Sequence, residues 1–317
     1  MQHLPVGYYS RVSNAPSPDE PVSRALLGRA IDYAGLFPPA MLPLSEVLSR
    51  YREYRASADA WALGRLVLPA DRLAELAVTA RASPRASEGV RSARGSPIDP
   101  VPISALVGTG TADDVDAIER FNREQAVARV ETVEVKAGSA GIALAVLAAI
   151  PPGWVSYLEV PVGEAGDAVL DVVAARGVRA KVRTGGTRAD AIPDPDSLSR
   201  FLTAAEARGV PFKATAGLHH PLRGSFPLTD GADAPSGTMY GYLNLALAAL
   251  LAWSGRGEAA IREALLESDA SALHIENASL CWRHESFPVE ILETMRSEFF
   301  HGFGSCSFRE PLDEWPL

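Results

Sequence analysis

From Leu63 onward the chain repeats one unit, a short apolar run followed by a helical stretch, and this alternation restricts the fold more than any other feature. Runs at 65–69, 102–107, 130–136, 154–160, 178–183 and 210–216 have strand length and are bounded by turn residues. The stretches 70–80, 113–125, 139–150, 164–176 and 197–208 between them read as helices. Further strands are expected at 272–276 and 302–308, with helices at 238–253, 257–267 and 288–299 around them. Eight strands separated by helices predict a parallel α/β architecture. Upstream, the proline-containing residues 1–20 read as an irregular arm. Residues 21–33 and 45–56 read as two helices, so 1–62 is expected to be an arm and helical cap and 63–317 one continuous domain. The Arg-, Ser-, Gly- and Pro-rich residues 81–100 read as a loop.

The alternation of side chains along a strand separates a closed barrel from an open sheet. Glu134 and Lys136 share one side of their strand, Tyr157 and Glu159 of the next, Lys181 and Arg183 of the next, and Lys213 and Thr215 of the sixth. The opposite side carries Val133, Val135, Leu158, Val160, Ala180, Val182, Phe212 and Ala214. An open doubly wound sheet presses helices onto both faces and would force the charged set against apolar side chains. A (β/α)8 TIM-type barrel lets polar groups point inward near the C-terminal rim, where barrel enzymes carry their chemistry. The barrel is therefore expected, with the open doubly wound sheet as the alternative.

Composition removes several function classes. The net charge of −9 argues against a nucleic-acid partner. No apolar run approaches the ~18 residues that span a bilayer, and the start lacks the basic-then-apolar pattern of a signal peptide. No membrane partner and a cytoplasmic location are expected. Cys281 and Cys306 are too few for a disulfide framework and are expected as thiols, Cys306 inert. The apolar stretch 243–253 reads as a core helix, and together with the acidic surface it permits a homodimer.

The inward set predicts the chemistry. Lys136, Lys181, Arg183 and Lys213, interleaved with Glu134 and Glu159, would form one charged site. A desolvated lysine beside other cations is expected to have a lowered pKa and to act as nucleophile or base. Lys213 is the candidate for that role, Lys181 its neighbour, and Arg183 the clamp for a carboxylate or phosphate. Gly185 and Gly186 follow a strand directly and let backbone N–H groups approach an anion. Their spacing matches neither a Walker loop nor a dinucleotide fingerprint, and no cofactor is expected. His219 and His220 are candidates for proton transfer, followed by Arg223. Ser305 belongs to a glycine- and serine-rich final strand that suits anion binding. His274 and Glu276 share one side of the strand expected at 272–276, which would bring Glu276 to the rim. The segment Ile31 to Ala40, with Asp32 and Tyr33, is unusual enough to suspect that it folds over the mouth.

Phe212-Lys213-Ala214-Thr215-Ala216-Gly217 resembles the Lys-x-Ser/Thr-x-Gly strand of class I aldolases of the deoxyribose-phosphate aldolase type. The resemblance implies that Lys213 forms a Schiff base with a carbonyl substrate and that Lys181 is a second pocket lysine. That family lacks the His-His-Pro that follows here. The chain is also similar to bacterial hypothetical proteins that share Asp-Tyr-Ala-Gly-Leu-Phe-Pro-Pro-Ala and Lys-Ala-Thr-Ala-Gly-Leu-His-His-Pro, a resemblance that implies no activity. The expected function is a lyase or isomerase acting on a small anionic carbonyl metabolite. Metal-assisted chemistry through His219, His220 and Glu159 or Glu276, and a non-catalytic anion-binding barrel, are the alternatives; no bound metal is expected.

Overall fold

The computed structural model describes residues 21–82, 100–108, 111–229 and 233–315. The expected arm at 1–20 and most of the loop at 81–100 lie outside the described residues. Eight parallel strands close a barrel: β1 Ile31–Tyr33, β2 Leu63–Pro69, β3 Val101–Val107, β4 Ala128–Lys136, β5 Val155–Val160, β6 Arg179–Arg183, β7 Phe212–Thr215 and β8 Phe300–Ser305. Closure rests on β1, which pairs in parallel with both β2 and β8. An open sheet would leave two edges, so the barrel expectation holds and the doubly wound alternative does not.

The barrel starts earlier than expected. The first helix, Pro21–Leu27, ends where the Gly28 N–H donates to the Arg24 carbonyl at 2.8 Å and Arg29 turns the chain out at φ +51°. Ile31 then enters the sheet. Helix Leu44–Ala56 is accordingly the crossover from β1 to β2, not part of a cap, and the barrel begins well before residue 63. A strand of three residues shows no measurable alternation, and its partners lie far away in sequence, so local pattern does not reveal it.

The expected seventh strand is also placed differently. Leu273–Glu276 lies outside the barrel, in a three-stranded antiparallel sheet with Ser279–Trp282 and Glu285–Pro288. Its link to the next strand is the two-residue turn Asn277-Ala278, both at positive φ, which sends the chain straight back. A parallel partner would need a crossover. This sheet, the hairpin Gly224–Pro227 with Ser236–Met239, and helices Tyr242–Trp253 and Glu258–Leu266 form a long excursion between β7 and β8.

Outside the barrel, Phe212 of β7 packs against Phe201, Phe299 and Phe300, with ring centroids 5.0–5.6 Å apart. Burial of one such ring contributes about 1.5–3 kcal/mol and fixes which face of β7 looks inward. Helix Tyr242–Trp253 is apolar on every side except at the hydrogen-bonded Asn244, because other helices and β8 cover it, and it is buried within the single chain from Tyr242 to Ala252. A homodimer would have to use another surface. Among the described residues, no helix is long and apolar enough to cross a membrane.

Candidate active site

Strand parity turns a row of ionisable side chains into the barrel. Lys213 of β7 stands beside Lys181 of β6, which stands beside Glu159 of β5, which stands beside Lys136 of β4. Glu134 is the central anion. Its Oε1 accepts from Lys213 Nζ at 2.7 Å and from Ser104 Oγ at 2.6 Å, and its Oε2 accepts from Lys181 Nζ at 3.0 Å. Thr132 Oγ1 donates to Ser104 Oγ at 2.7 Å and completes the support. Lys181 Nζ also lies 2.8 Å from Glu159, and Arg183 Nε lies 3.7 Å from the other oxygen of that carboxylate.

Asp32 of β1 completes the row and was not singled out from sequence as a site residue. One carboxylate oxygen pairs closely with Lys213 Nζ, and the other accepts the Arg65 backbone N–H at 2.6 Å. An acid between Ile31 and Tyr33 in an apolar triplet was the available signal. Lys181, Lys213, Glu134 and Asp32 are all buried. Three carboxylates (Asp32, Glu134, Glu159) thus alternate with three cations (Lys213, Lys181, Arg183), which is how a barrel interior tolerates so much charge. Beneath them the Tyr157 ring lies 5.4 Å from Lys213 Nζ, a cation–π contact.

These pairings reverse one expectation. Burial works against the Lys213 ammonium, but the carboxylates of Asp32 and Glu134 outweigh it, so the pKa of Lys213 is raised instead of lowered. Glu134 shows the converse. Burial favours its neutral form, yet Lys213 and Lys181 hold it far below the ordinary carboxylate range. Glu159 is depressed in the same way, against burial, mainly by Lys181. The neighbouring cation that was to lower Lys213 is separated from it by a shared anion.

Above this floor opens a cavity of about 340 Å³, within the range of small-molecule sites. Glu134, Lys136, Glu159, Lys181, Arg183, Gly186, Lys213, Thr215 and His219 all line it. Phe37, Pro38 and Pro39 from the segment after β1 form part of its wall, as suspected from sequence, and Leu228 and Met239 of the hairpin region face it from elsewhere. Lys136 is exposed at the rim and forms no ion pair among the described residues. The Arg183 side chain is 44% exposed, so cationic charge remains available to an entering anion.

Other expected residues serve different ends. Gly185 packs against the next loop: a Cβ there would stand 3.0 Å from the Gly217 Cα, and the Gly185 carbonyl accepts from Arg183 at 3.1 Å. It allows close approach of two backbones and does not line the cavity. His220 turns away, with Nδ1 2.7 Å from Glu314 and its ring stacked on Phe226 at 3.5 Å. Arg223 does not line the cavity; its backbone N–H donates to Asn244 Oδ1 at 2.7 Å. Ser305 sits behind the wall, its Oγ 3.4 Å from His219 Nδ1. Glu276 is outside the barrel, where its carboxylate, the His274 imidazole and the Cys281 thiol lie within 4.8 Å of one another. The metal set suggested by the two histidines is therefore not assembled at the mouth among the described residues. No family model matches the chain, and no curated protein matches it closely.

Gly64 offers a direct check on the Asp32 contact. A Cβ at this position would stand 2.3 Å from Asp32 Oδ1. Gly64→Ala should displace the carboxylate and release one of the two anions on Lys213, lowering stability by about 1–3 kcal/mol. Urea unfolding midpoints measure this, and an unchanged midpoint would show that the contact carries no weight.

Proposed function

We propose that the chain is a lysine-dependent enzyme of lyase or isomerase type acting on a small anionic carbonyl compound at the barrel mouth. One observation carries the reading: two buried lysines and three carboxylates form a connected row, all of them but Asp32 line one cavity, and the rim keeps Arg183 and Lys136 accessible. Structural ion pairs need no cavity above them, and a binding-only pocket needs no second buried lysine sharing the same carboxylate.

Arg183 and Lys136 receive the anionic group of the substrate and leave its carbonyl toward Lys213. Passing one proton from the Lys213 ammonium to Asp32 or Glu134 converts an ion pair into a neutral amine and acid without changing the net charge of the site. The amine nitrogen then attacks the carbonyl carbon, the former carbonyl oxygen takes one proton from that nitrogen and a second from the carboxylic acid, and it leaves as water. The product is a protonated imine, whose positive nitrogen draws electrons from an adjacent C–C or C–H bond. A second reading is favoured by the raised Lys213 pKa. In it Lys213 stays an ammonium and stabilises the oxyanion of an enolate, with no covalent link.

Borohydride reduction separates the two. The protein is incubated with pyruvate, dihydroxyacetone phosphate and acetaldehyde, reduced, and mapped by peptide mass spectrometry. The covalent route predicts a reduced adduct on Lys213 whose added mass identifies the carbonyl compound. An adduct on Lys181 would keep the reaction class and exchange the roles of the two lysines. Absence of any adduct, together with deuterium exchange from D2O into one of the probes, would establish the non-covalent route. Absence of both removes the proposal and leaves a binding protein.

A further inference from the structure

Cys306 follows β8 and His219 follows β7, and the pairing of those strands brings a thiol to an imidazole at the mouth. Ala216 and Gly217, at φ +68° and +80°, make the sharp turn that returns the chain to this point. Cys306 Sγ lies 3.8 Å from both ring nitrogens of His219, and His219 Nδ1 lies 3.0 Å from Glu310 Oε2. Ser307 Oγ accepts the Glu310 N–H at 3.2 Å and holds the turn that carries the carboxylate. Cys306 and His219 both face the cavity that Lys213 and Lys181 floor. The sequence offered no base for this thiol, because the imidazole lies on a separate segment 87 positions away.

We propose that Cys306, His219 and Glu310 form a second proton-handling unit, which takes and returns the proton at the carbon next to the carbonyl captured by lysine. This rests on the covalent reading above. A thiol, an imidazole and a carboxylate in series have the roles of reacting group, base and orienting group. Glu310 occupies Nδ1 and leaves Nε2 to take the thiol proton. Burial opposes a charge on His219, but the contacts with Cys306 and Glu310 prevail and push its pKa up to about 10, which stabilises the imidazolium so formed. The thiolate then removes the proton beside the iminium carbon. The C–H bond breaks, an S–H bond forms, and the released pair becomes a C=C bond while the iminium nitrogen becomes neutral, giving an enamine. Reprotonation runs the same steps backward, so the unit ends as it began. Cys306 is the group that touches substrate, and Glu310 is a positioning residue.

The test has two arms. Alkylation by iodoacetamide at pH 7, followed residue by residue by mass spectrometry, reads the unit without any substrate. His219→Asn should slow alkylation of Cys306 by about tenfold or more, and Glu310→Gln should slow it less, with Cys281 unaffected in both. Equal rates in the parent and His219→Asn would overturn the unit. The second arm uses the carbonyl probes above. Cys306→Ser should still give the reducible lysine adduct and should lose deuterium exchange from D2O into that probe; full exchange would overturn the role of Cys306. Failure of the lysine reading looks different: no adduct forms with any probe, the imine step falls, and the alkylation arm alone decides whether thiol and imidazole act together. Circular dichroism of each variant identifies loss of fold.

Discussion

Lys213→Arg should fold as the parent does and form no reducible adduct, whereas Lys213→Met should lose both turnover and stability. Arginine keeps a cation between Asp32 and Glu134, but a guanidinium does not yield the free amine that imine formation requires. Methionine removes the cation. It strands the Asp32 carboxylate and leaves Glu134 with Lys181 alone, which costs about 3–5 kcal/mol when one partner of a buried pair is deleted. Turnover of whichever carbonyl probe is trapped should fall on the order of 10²–10⁴-fold in both variants. The two substitutions together separate chemistry from folding: an arginine variant that still turns over would remove Lys213 from the covalent route. The pH dependence has a defined sign. The folded-state pKa of Lys213 is raised, so its contribution is complete below the ordinary value of 10.5 and is lost as pH rises through the folded value. Lys213→Met should lack that alkaline loss.

Glu134→Gln should be the most destabilising near-isosteric change in the barrel. The amide keeps a carbonyl to accept from Ser104 but leaves both Lys213 and Lys181 short of one counter-charge. About 3–5 kcal/mol is expected at neutral pH, read from urea unfolding. The folded-state pKa of Glu134 is depressed, so its contribution is present above the ordinary carboxyl value of 4.5 and is lost as pH falls through the folded value. The parent should therefore weaken steadily on acidification below about 4.5, and Glu134→Gln should weaken less. Glu159, depressed in the same direction, keeps part of the slope in both proteins. A variant as stable as the parent at pH 7 would show that the two lysines do not depend on Glu134.

The inward set was legible because strand parity is local. Glu134, Lys181 and Lys213 each fall two residues from another polar side chain on a short apolar strand, and that spacing alone put them on one face. Asp32 escaped because its strand is three residues long and reads like the end of a helix. His220 and Arg223 follow site residues in sequence, yet the turn at Ala216-Gly217 sends neighbouring side chains to different surroundings, and Gly185, next to Gly186, is taken up by close packing against Gly217. The strand at Leu273–Glu276 has ordinary strand character; only its antiparallel partner distinguishes it from a barrel strand.

Alternating apolar runs and strand parity, both properties of residues a few positions apart, determined a barrel with a charged interior. Contacts between distant segments decided the rest. Pairing of β1 with β8 closed the barrel and brought Asp32 to Lys213. A carboxylate shared by Lys213 and Lys181 set the direction of the Lys213 electrostatics, and the approach of the segments after β7 and β8 gave Cys306 its imidazole. Coulomb interactions and hydrogen bonds act over ångströms in space, whatever the separation along the chain, so the charge state of Lys213 depended on an aspartate 181 positions away.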